Sequence, residues 1–94
     1  MTVPDGVLDR AWELDHRVSI RPESFGALLY HFGTRRLSFL KDRRLLDVVQ
    51  RLPDATSARE ACLAAGLTDS DLPTYGRALS TLAATDMIVE RTPA

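Results

Sequence analysis

Hydrophobic and polar residues alternate along residues 12–20, and this pattern predicts a β-strand. The even positions are mostly apolar, whereas the odd positions are polar. Successive side chains of a strand point to opposite faces, so one face of this strand is expected to be buried. His16 then lies on the core face, and Asp15, on the opposite face, cannot form an acid–base pair with it. Pro22 is expected to break the strand, because proline has no N–H group to donate to the ladder.

A β-hairpin is predicted next, from residues 27–32 and 35–40 around the loop Gly33-Thr34. Glycine in the first position of a two-residue loop suits a type II′ turn. The loop fixes the pairing: Phe32 with Arg35, Tyr30 with Leu37 and Leu28 with Phe39 share one face, and His31 with Arg36 and Leu29 with Ser38 share the other. The first face is the more apolar, so the sequence places it toward the core. In the second strand, the N–H groups of Arg36, Ser38 and Leu40 are expected to point away from the first strand.

Three helices are predicted in the second half of the chain, at residues 42–52, between Ser57 and Gly66, and at residues 70–84. Apolar residues recur at helical spacing in the first helix, which Pro53 ends. A Ser-x-x-Glu capping box opens the second helix, and a glycine closes it. The apolar stripe of the third helix is expected to consist of Leu72, Tyr75, Leu79 and Leu82.

Together these elements predict an α+β fold, a three-stranded antiparallel sheet followed by three short helices in a winged-helix-like arrangement. The length of 94 residues suits one domain, expected to span residues 1–94. The meander of strands occupies residues 12–40. Residues 41–91 form the three-helix part with a short extended tail. The last strand of the meander, residues 35–40, is expected to lie at a sheet edge.

Charge is distributed unevenly in a chain whose net charge is −1. A near-neutral total argues against a protein that mainly grips nucleic acid. Residues 35–51 nevertheless carry six basic side chains against two acids. One reading is structural: these residues form the solvated face of a helix, and some of them protect an edge strand from aggregation. The other reading is functional: they form a positive border to an edge strand that accepts a peptide as an added strand.

No constellation of an enzyme is recognisable in the sequence. His31 and Ser38 could approach each other across the hairpin, but nothing supplies an orienting group or an oxyanion hole. One cysteine and two histidines match no zinc-ligand spacing. Because Cys62 is the single cysteine, the chain cannot form an intrachain disulfide, and a reducing compartment is suggested. Without a secretory signal or a membrane-spanning run, a cytoplasmic location and no membrane partner are expected.

Small residues form a row beside the apolar stripe of the third helix, at Gly76, Ser80 and Ala83. A glycine inside a helix costs about 1 kcal/mol relative to alanine, so its presence invites a reason. Close approach of another backbone is one reading, and loose packing without a role is the other.

The segment from Arg17 to Lys41, which reads RVSIRPESFGALLYHFGTRRLSFLK, closely resembles the peptide chaperones of mycofactocin biosynthesis, the MftB family. The similarity extends to residues 87–89. More distantly, the order of elements looks like the PqqD-type peptide-recognition domains, which serve pathways of ribosomally synthesised, post-translationally modified peptides. The resemblance implies a non-catalytic protein without a cofactor, whose partners are the leader of a precursor peptide and a radical S-adenosylmethionine maturase.

The resemblance also implies where the leader binds: it adds to the third strand, in the groove between that strand and the third helix. Carried onto this sequence by position and spacing, the peptide-binding residues are Arg35, Arg36, Leu37, Ser38, Phe39, Leu40, Leu72, Tyr75, Gly76, Leu79 and Ala83. Two alternatives stay open, a winged-helix DNA-binding protein and a small structural subunit. The first is disfavoured because helix 70–84 offers Arg77 as its only base, and phosphate contacts need several.

Overall fold

Strands occupy the first half of the chain and helices most of the second half in the computed structural model, which describes residues 6–91. Three helices follow a set of antiparallel strands, so the predicted α+β fold is confirmed. The elements are β1 (Trp12–Leu14), β2 (Val18–Glu23), β3 (Gly26–His31), β4 (Leu37–Leu40), α1 (Arg43–Arg51), α2 (Ala58–Ala64), α3 (Leu72–Ala84) and β5 (Ile88–Glu90), with short 3₁₀ turns at Leu52–Asp54 and Asp69–Asp71.

The single strand predicted over residues 12–20 is wrong, because the chain turns between β1 and β2. The N–H of Val18 donates to the carbonyl of Asp15 at 2.9 Å and closes this turn. The Asp15 side chain accepts from the backbone N–H of Arg17, which holds the turn in place. His16 therefore lies at the tip of a turn with its side chain 90% exposed, and its predicted core position is also wrong.

The two strands made from this segment belong to different sheets. β1 pairs antiparallel with β5, so that Trp12 lies opposite Glu90 and Leu14 opposite Ile88. The extended tail was predicted, but its partner was not, because the two strands are more than 70 residues apart in the chain. β2, β3 and β4 form a separate three-stranded antiparallel sheet in that order.

Pro22 does not break β2, which continues to Glu23. The N–H of Phe32 donates to the carbonyl of Arg17, and hydrogen-bonded pairs alternate along an antiparallel ladder. Pro22, opposite Ala27, therefore occupies a non-hydrogen-bonded position. Its missing N–H would point to the open side of an edge strand, where proline is tolerated.

The register predicted for the hairpin is confirmed, but the predicted turn is wrong. Tyr30 pairs with Leu37 and Leu29 pairs with Ser38, as expected. His31 donates to the carbonyl of Arg36 and accepts from the N–H of Arg35, so the loop holds four residues, from 32 to 35. The register is the same as for a two-residue loop between 32 and 35, because residues 31 and 36 lie opposite each other in both cases. Arg35 adopts a left-handed conformation with φ 63° to close it.

The face of the hairpin assigned to the core is the wrong one. The buried face carries Ala27, Leu29 and His31 from β3, with Leu40 from β4, and α1 packs against it. The opposite face carries Leu37 and Phe39 and is open to solvent. We call these the inner face and the outer face of the sheet.

The helices begin and end within two residues of their predicted bounds. The Asp42 side chain accepts from the N–H of Arg44 at the start of α1. Ser57 and Glu60 provide the start of α2, where the Ser57 hydroxyl accepts from the N–H of Glu60. Apolar side chains from α1, α2, α3 and the inner face form one core, whose fully buried members include Leu29, Leu40, Leu52, Leu79, Met87, Ile88, Val48, Val49 and Cys62.

The row of small residues on α3 accommodates the segment before β1. A side chain at Gly76 would meet the side chain of Leu8 at 3.3 Å. Ser80 and Ala83 line a depression that also contains Trp12. The group that approaches Gly76 is thus a side chain of a neighbouring segment of the same chain, and not the second backbone that was one of the two readings of this row.

Candidate functional site

One long side of β4 is open. Within residues 6–91, β4 pairs with β3 and with no other strand. Because the N–H of His31 donates to Arg36, the hydrogen-bonded pairs of this ladder include Leu29 with Ser38. The outward N–H groups of β4 therefore belong to Leu37 and Phe39, not to Arg36, Ser38 and Leu40 as the two-residue loop implied.

A groove runs between this open side of β4 and helix α3. It consists of two depressions of about 320 and 330 Å³, which share Phe39, Leu45 and Ala78. Leu45 is at its floor and belongs to the core. The lining residues are Ser38, Phe39, Leu40, Lys41, Asp42, Leu45, Thr74, Tyr75, Ala78, Thr81 and Leu82.

Of the residues predicted on the helical wall of this groove, the structure places Tyr75 there. Leu72 and Leu79 are buried in the core instead. Gly76 contacts Leu8, and Ala83 lines the separate depression beside Trp12. The prediction took Leu72 and Leu79 from the apolar stripe of the helix, and these two pack into the core. Gly76 and Ala83 came from the row of small residues, which faces the segment before β1.

The helical residues that do line the groove lie one step around α3. Thr74, Ala78 and Thr81 are spaced three or four apart, and Tyr75 and Leu82 of the apolar stripe line the groove beside them. A stripe of threonine and alanine beside an apolar one is the signal that indicates this boundary position. Asp42 and Leu45, from α1, had no comparable signal, because their place depends on how α1 packs.

The Tyr75 hydroxyl donates to Oδ2 of Asp42 and joins the two sides of the groove near the start of α1. The other carboxylate oxygen, Oδ1, caps α1 by accepting from Arg44 at 2.8 Å. The hydrogen bond to Asp42, together with burial, raises the pKa of Tyr75 to about 12. The phenol is thus protonated at neutral pH and donates to Asp42 across this end of the groove.

Positive charge surrounds the open edge, whereas part of the predicted basic band has a structural role. Arg51 forms an ion pair with Asp47 at 2.9 Å on the surface of α1. Arg43 donates to the carbonyl of Ser24 and ties α1 to the β2–β3 turn. The remaining cations, Arg35, Arg36, Lys41 and Arg44, are exposed and form no ion pair with any residue between 6 and 91.

A buried polar network fixes the hairpin that carries this edge. His31 is fully buried, and its Nδ1 accepts from the N–H groups of Gly33 and Thr34 at 3.0 Å each. Because Nδ1 is an acceptor, the ring proton lies on Nε2, which is 3.7 Å from Oδ2 of Asp15. Hydrogen bonds from the Arg17 side chain and backbone keep the pKa of Asp15 well below its usual range.

The remaining reactive groups do not gather into a site. Cys62 is buried, and burial raises the pKa of its thiol to about 11, so the sulfur stays protonated. Across residues 6–91, no three His, Cys, Asp or Glu side chains converge in a way that could hold a metal ion. In the same part of the chain, every helix is too short or too polar to cross a membrane.

Comparisons with known proteins point to one family. A sequence model described as the peptide chaperone MftB family matches residues 11–89. A protein named Peptide chaperone MftB from Mycobacterium tuberculosis is 57% identical over 83 residues, which are 88% of this chain and 76% of that protein. Its namesake from Mycobacterium ulcerans is 57% identical over 81 residues, covering 86% and 74%. The one from Mycolicibacterium smegmatis is 51% identical over 85 residues, covering 90% and 83%. No solved structure matches.

Proposed function

Because the chain belongs to the peptide chaperone MftB family, we propose that it binds the leader of the mycofactocin precursor peptide by strand addition to β4. Its relatives are named as peptide chaperones and not as catalysts, so the chain is not an enzyme. The family favours a peptide ligand over DNA. The winged-helix DNA-binding alternative is also disfavoured because Arg77 is the only basic residue of α3.

The observation that carries the proposal is the open edge of β4 beside an apolar groove. An extended peptide aligned with β4 can accept hydrogen bonds from the N–H groups of Leu37 and Phe39. Main-chain hydrogen bonds of this kind hold any sequence, so selectivity depends on the side chains that enter the groove. Those side chains would contact Leu45, Ala78 and Leu82, which makes an apolar residue the preferred occupant.

The peptide-binding set is therefore revised from the one that spacing gave. The strand contribution, Arg35 to Leu40, is kept, with the backbone of Leu37 and Phe39 as the donors. On the helical side, Tyr75 is kept, and the proposal replaces Leu72, Gly76, Leu79 and Ala83 by Thr74, Ala78, Thr81 and Leu82, of which Leu82 is a core residue that also lines the groove. Arg35 and Arg36, which border the start of β4, would attract acidic residues of the leader.

The second half of the proposal is that the bound peptide is presented to a radical S-adenosylmethionine maturase in the cytoplasm. Its support is the family resemblance together with the geometry of an edge strand. A peptide held along one side by its backbone leaves its far end free to enter another active site. The chain itself would hold no cofactor in this division of labour.

Replacing Phe39 by proline tests the strand-addition proposal. Proline removes an outward N–H while leaving the pairing with β3 intact, and it is tolerated in edge strands. We expect Phe39→Pro to weaken leader binding about tenfold or more relative to Phe39→Ala, because both variants lack the ring and only one lacks the donor. Isothermal titration calorimetry with the synthetic leader peptide gives both affinities.

Circular dichroism must show both variants folded for this comparison to count. Ser38→Pro, by contrast, removes an N–H that belongs to the β3–β4 ladder and is unsuitable as the test. Equal affinities of folded Phe39→Pro and Phe39→Ala would mean that the leader does not pair with β4.

A further inference from the structure

Exposed large apolar side chains are concentrated on the outer face of the sheet. Five such side chains occur among residues 6–91, and all but Leu63 belong to the β2–β3–β4 sheet or its turns. Register places Leu28 and Tyr30 on the same face, next to Phe39 and Leu37. We call this surface the outer patch, formed by Phe25, Leu28, Tyr30, Phe32, Leu37 and Phe39.

The outer patch is organised by contacts among its own side chains. Tyr30 and Phe32 pack edge to face with ring centroids 4.9 Å apart. The ring centroids of Phe25 and Phe39 are 6.2 Å apart, and the two rings are tilted relative to each other. Phe32 is 62% exposed in spite of this packing, and Phe39 is 58% exposed. Contiguous apolar surface of this kind on a small domain marks a contact with another molecule.

The charge around the outer patch indicates what that molecule offers. Residues 16–41 contain five arginine or lysine side chains and one acid, Glu23, but Arg17 pairs with Asp15, just outside this range, at 3.1 Å. Arg35, Arg36 and Lys41 are exposed and form no ion pair within residues 6–91. Glu23 is itself engaged by Arg21 at 2.9 Å. An apolar centre with a cationic border is complementary to an apolar surface bordered by carboxylates.

The arrangement of the rings favours a protein over a nucleic acid. Bases stack on aromatic side chains that present a free ring face. Here Tyr30 and Phe32 pack edge to face, and two leucines, Leu28 and Leu37, fill the centre. Branched aliphatic side chains offer no stacking platform, but they pack well against the apolar side chains of a protein.

We propose that the outer patch docks a second protein, through an apolar surface with an acidic border, while the groove holds the peptide. The inference rests on the proposed function in one respect: a peptide added to β4 becomes a fourth strand of the sheet. Alternate side chains of that strand then extend the outer face beside Leu37 and Phe39. The docked protein contacts the chaperone and the peptide together, so each strengthens the binding of the other.

The test uses the radical S-adenosylmethionine enzyme as the immobilised probe and measures chaperone binding with and without saturating leader peptide. In wild type, we expect the peptide to increase the affinity for the enzyme. The double variant Tyr30→Thr with Phe32→Thr removes the edge-to-face pair and keeps residues that favour strands. It should weaken enzyme binding about tenfold or more and leave leader affinity within about twofold. Leu63→Gln, at the exposed apolar residue of α2, is the matched control and should change neither affinity.

A single substitution, Phe32→Ser, serves if the double variant fails to fold, because this side chain is mostly exposed. Unchanged enzyme affinity in a folded outer-patch variant overturns the inference and leaves the peptide proposal intact. Failure of Phe39→Pro to affect leader binding overturns the peptide proposal instead. Two further outcomes contradict docking of a different protein. One is that wild type forms a dimer in sedimentation velocity and the double variant does not. The other is that wild type binds duplex DNA in a salt-sensitive way and the double variant does not.

Discussion

The inner and outer faces of the β2–β3–β4 sheet both carry large apolar side chains but lie in opposite environments. Ala27, Leu29 and Leu40 on the inner face are almost completely buried, whereas Leu37 and Phe39 on the outer face are more than half exposed. Both faces are apolar enough to form a core. What separates them is the position of the helices, since α1 packs against one face of β3 and leaves the other uncovered.

This difference shows that an apolar face is not by itself a buried face. The face with the larger hydrophobic side chains was expected to be the core, because His31, Arg36 and Ser38 made the other face look polar. His31 is buried all the same, because its ring satisfies two backbone donors of the turn, Gly33 and Thr34. The register was therefore predicted correctly, but the face assigned to the core was wrong, because this histidine is buried for a structural reason.

Truncating one leucine on each face gives the largest expected contrast. Leu29→Ala should lower the free energy of unfolding by about 2–5 kcal/mol, because it removes buried apolar atoms and leaves a cavity. Leu37→Ala should lower it by less than about 0.5 kcal/mol, because its side chain is 55% exposed. Urea denaturation followed by circular dichroism measures both. Similar losses in the two variants would mean that the outer face is covered in solution.

Much of the architecture could be predicted because its signals are local. The Ser57 capping box and Gly66 bounded the second helix, Pro53 marked the end of the first, and the hairpin register followed from the spacing around Gly33. The broken strand at Asp15 could not be predicted, since alternation continues through a turn that a side-chain hydrogen bond to Arg17 creates. The pairing of β1 with β5 joins the two ends of the domain, and no local pattern encodes it.

The open edge beside the candidate site was predictable from the order of the strands, whereas the outward donors of β4 and the helical wall of the groove were not. Sequence spacing identifies the stripe of α3 that contains Leu72 and Leu79, but this stripe is the one the core requires. Which neighbouring stripe faces β4 depends on the rotation of the helix against α1 and the segment before β1. That rotation is set by contacts such as Leu8 against Gly76, which are distant in the chain.

The buried histidine offers an intermediate test of the same comparison, because it is the polar member of the inner face. His31→Leu fills similar space but leaves the N–H groups of Gly33 and Thr34 without their acceptor. We expect a loss of about 1–3 kcal/mol in the free energy of unfolding. His16→Leu is the matched control, since that ring is exposed at the β1–β2 turn, and it should change stability by less than about 0.5 kcal/mol. Equal effects in the two variants would contradict a structural role for the buried ring.

The smallest expected effect concerns the groove, which lies where the inner face meets solvent. Tyr75→Phe removes the hydroxyl that donates to Asp42 and should lower the free energy of unfolding by about 0.5–1.5 kcal/mol. Tyr30→Phe is the control, because the Tyr30 hydroxyl makes no side-chain hydrogen bond with residues 6–91 and lies on the outer face. Its stability should match wild type.

The pH dependence of the same pair separates this hydrogen bond from simple packing. The pKa of Tyr75 is raised to about 12 in the folded state, above the value of about 10 for an unperturbed tyrosine. The folded state therefore holds the phenol proton more tightly, and this contribution is complete below about pH 10 and is lost as the pH rises through 12. Wild type should lose stability relative to Tyr75→Phe across that interval. Parallel stability curves for wild type and Tyr75→Phe would show that the phenol–carboxylate hydrogen bond does not stabilise the folded state.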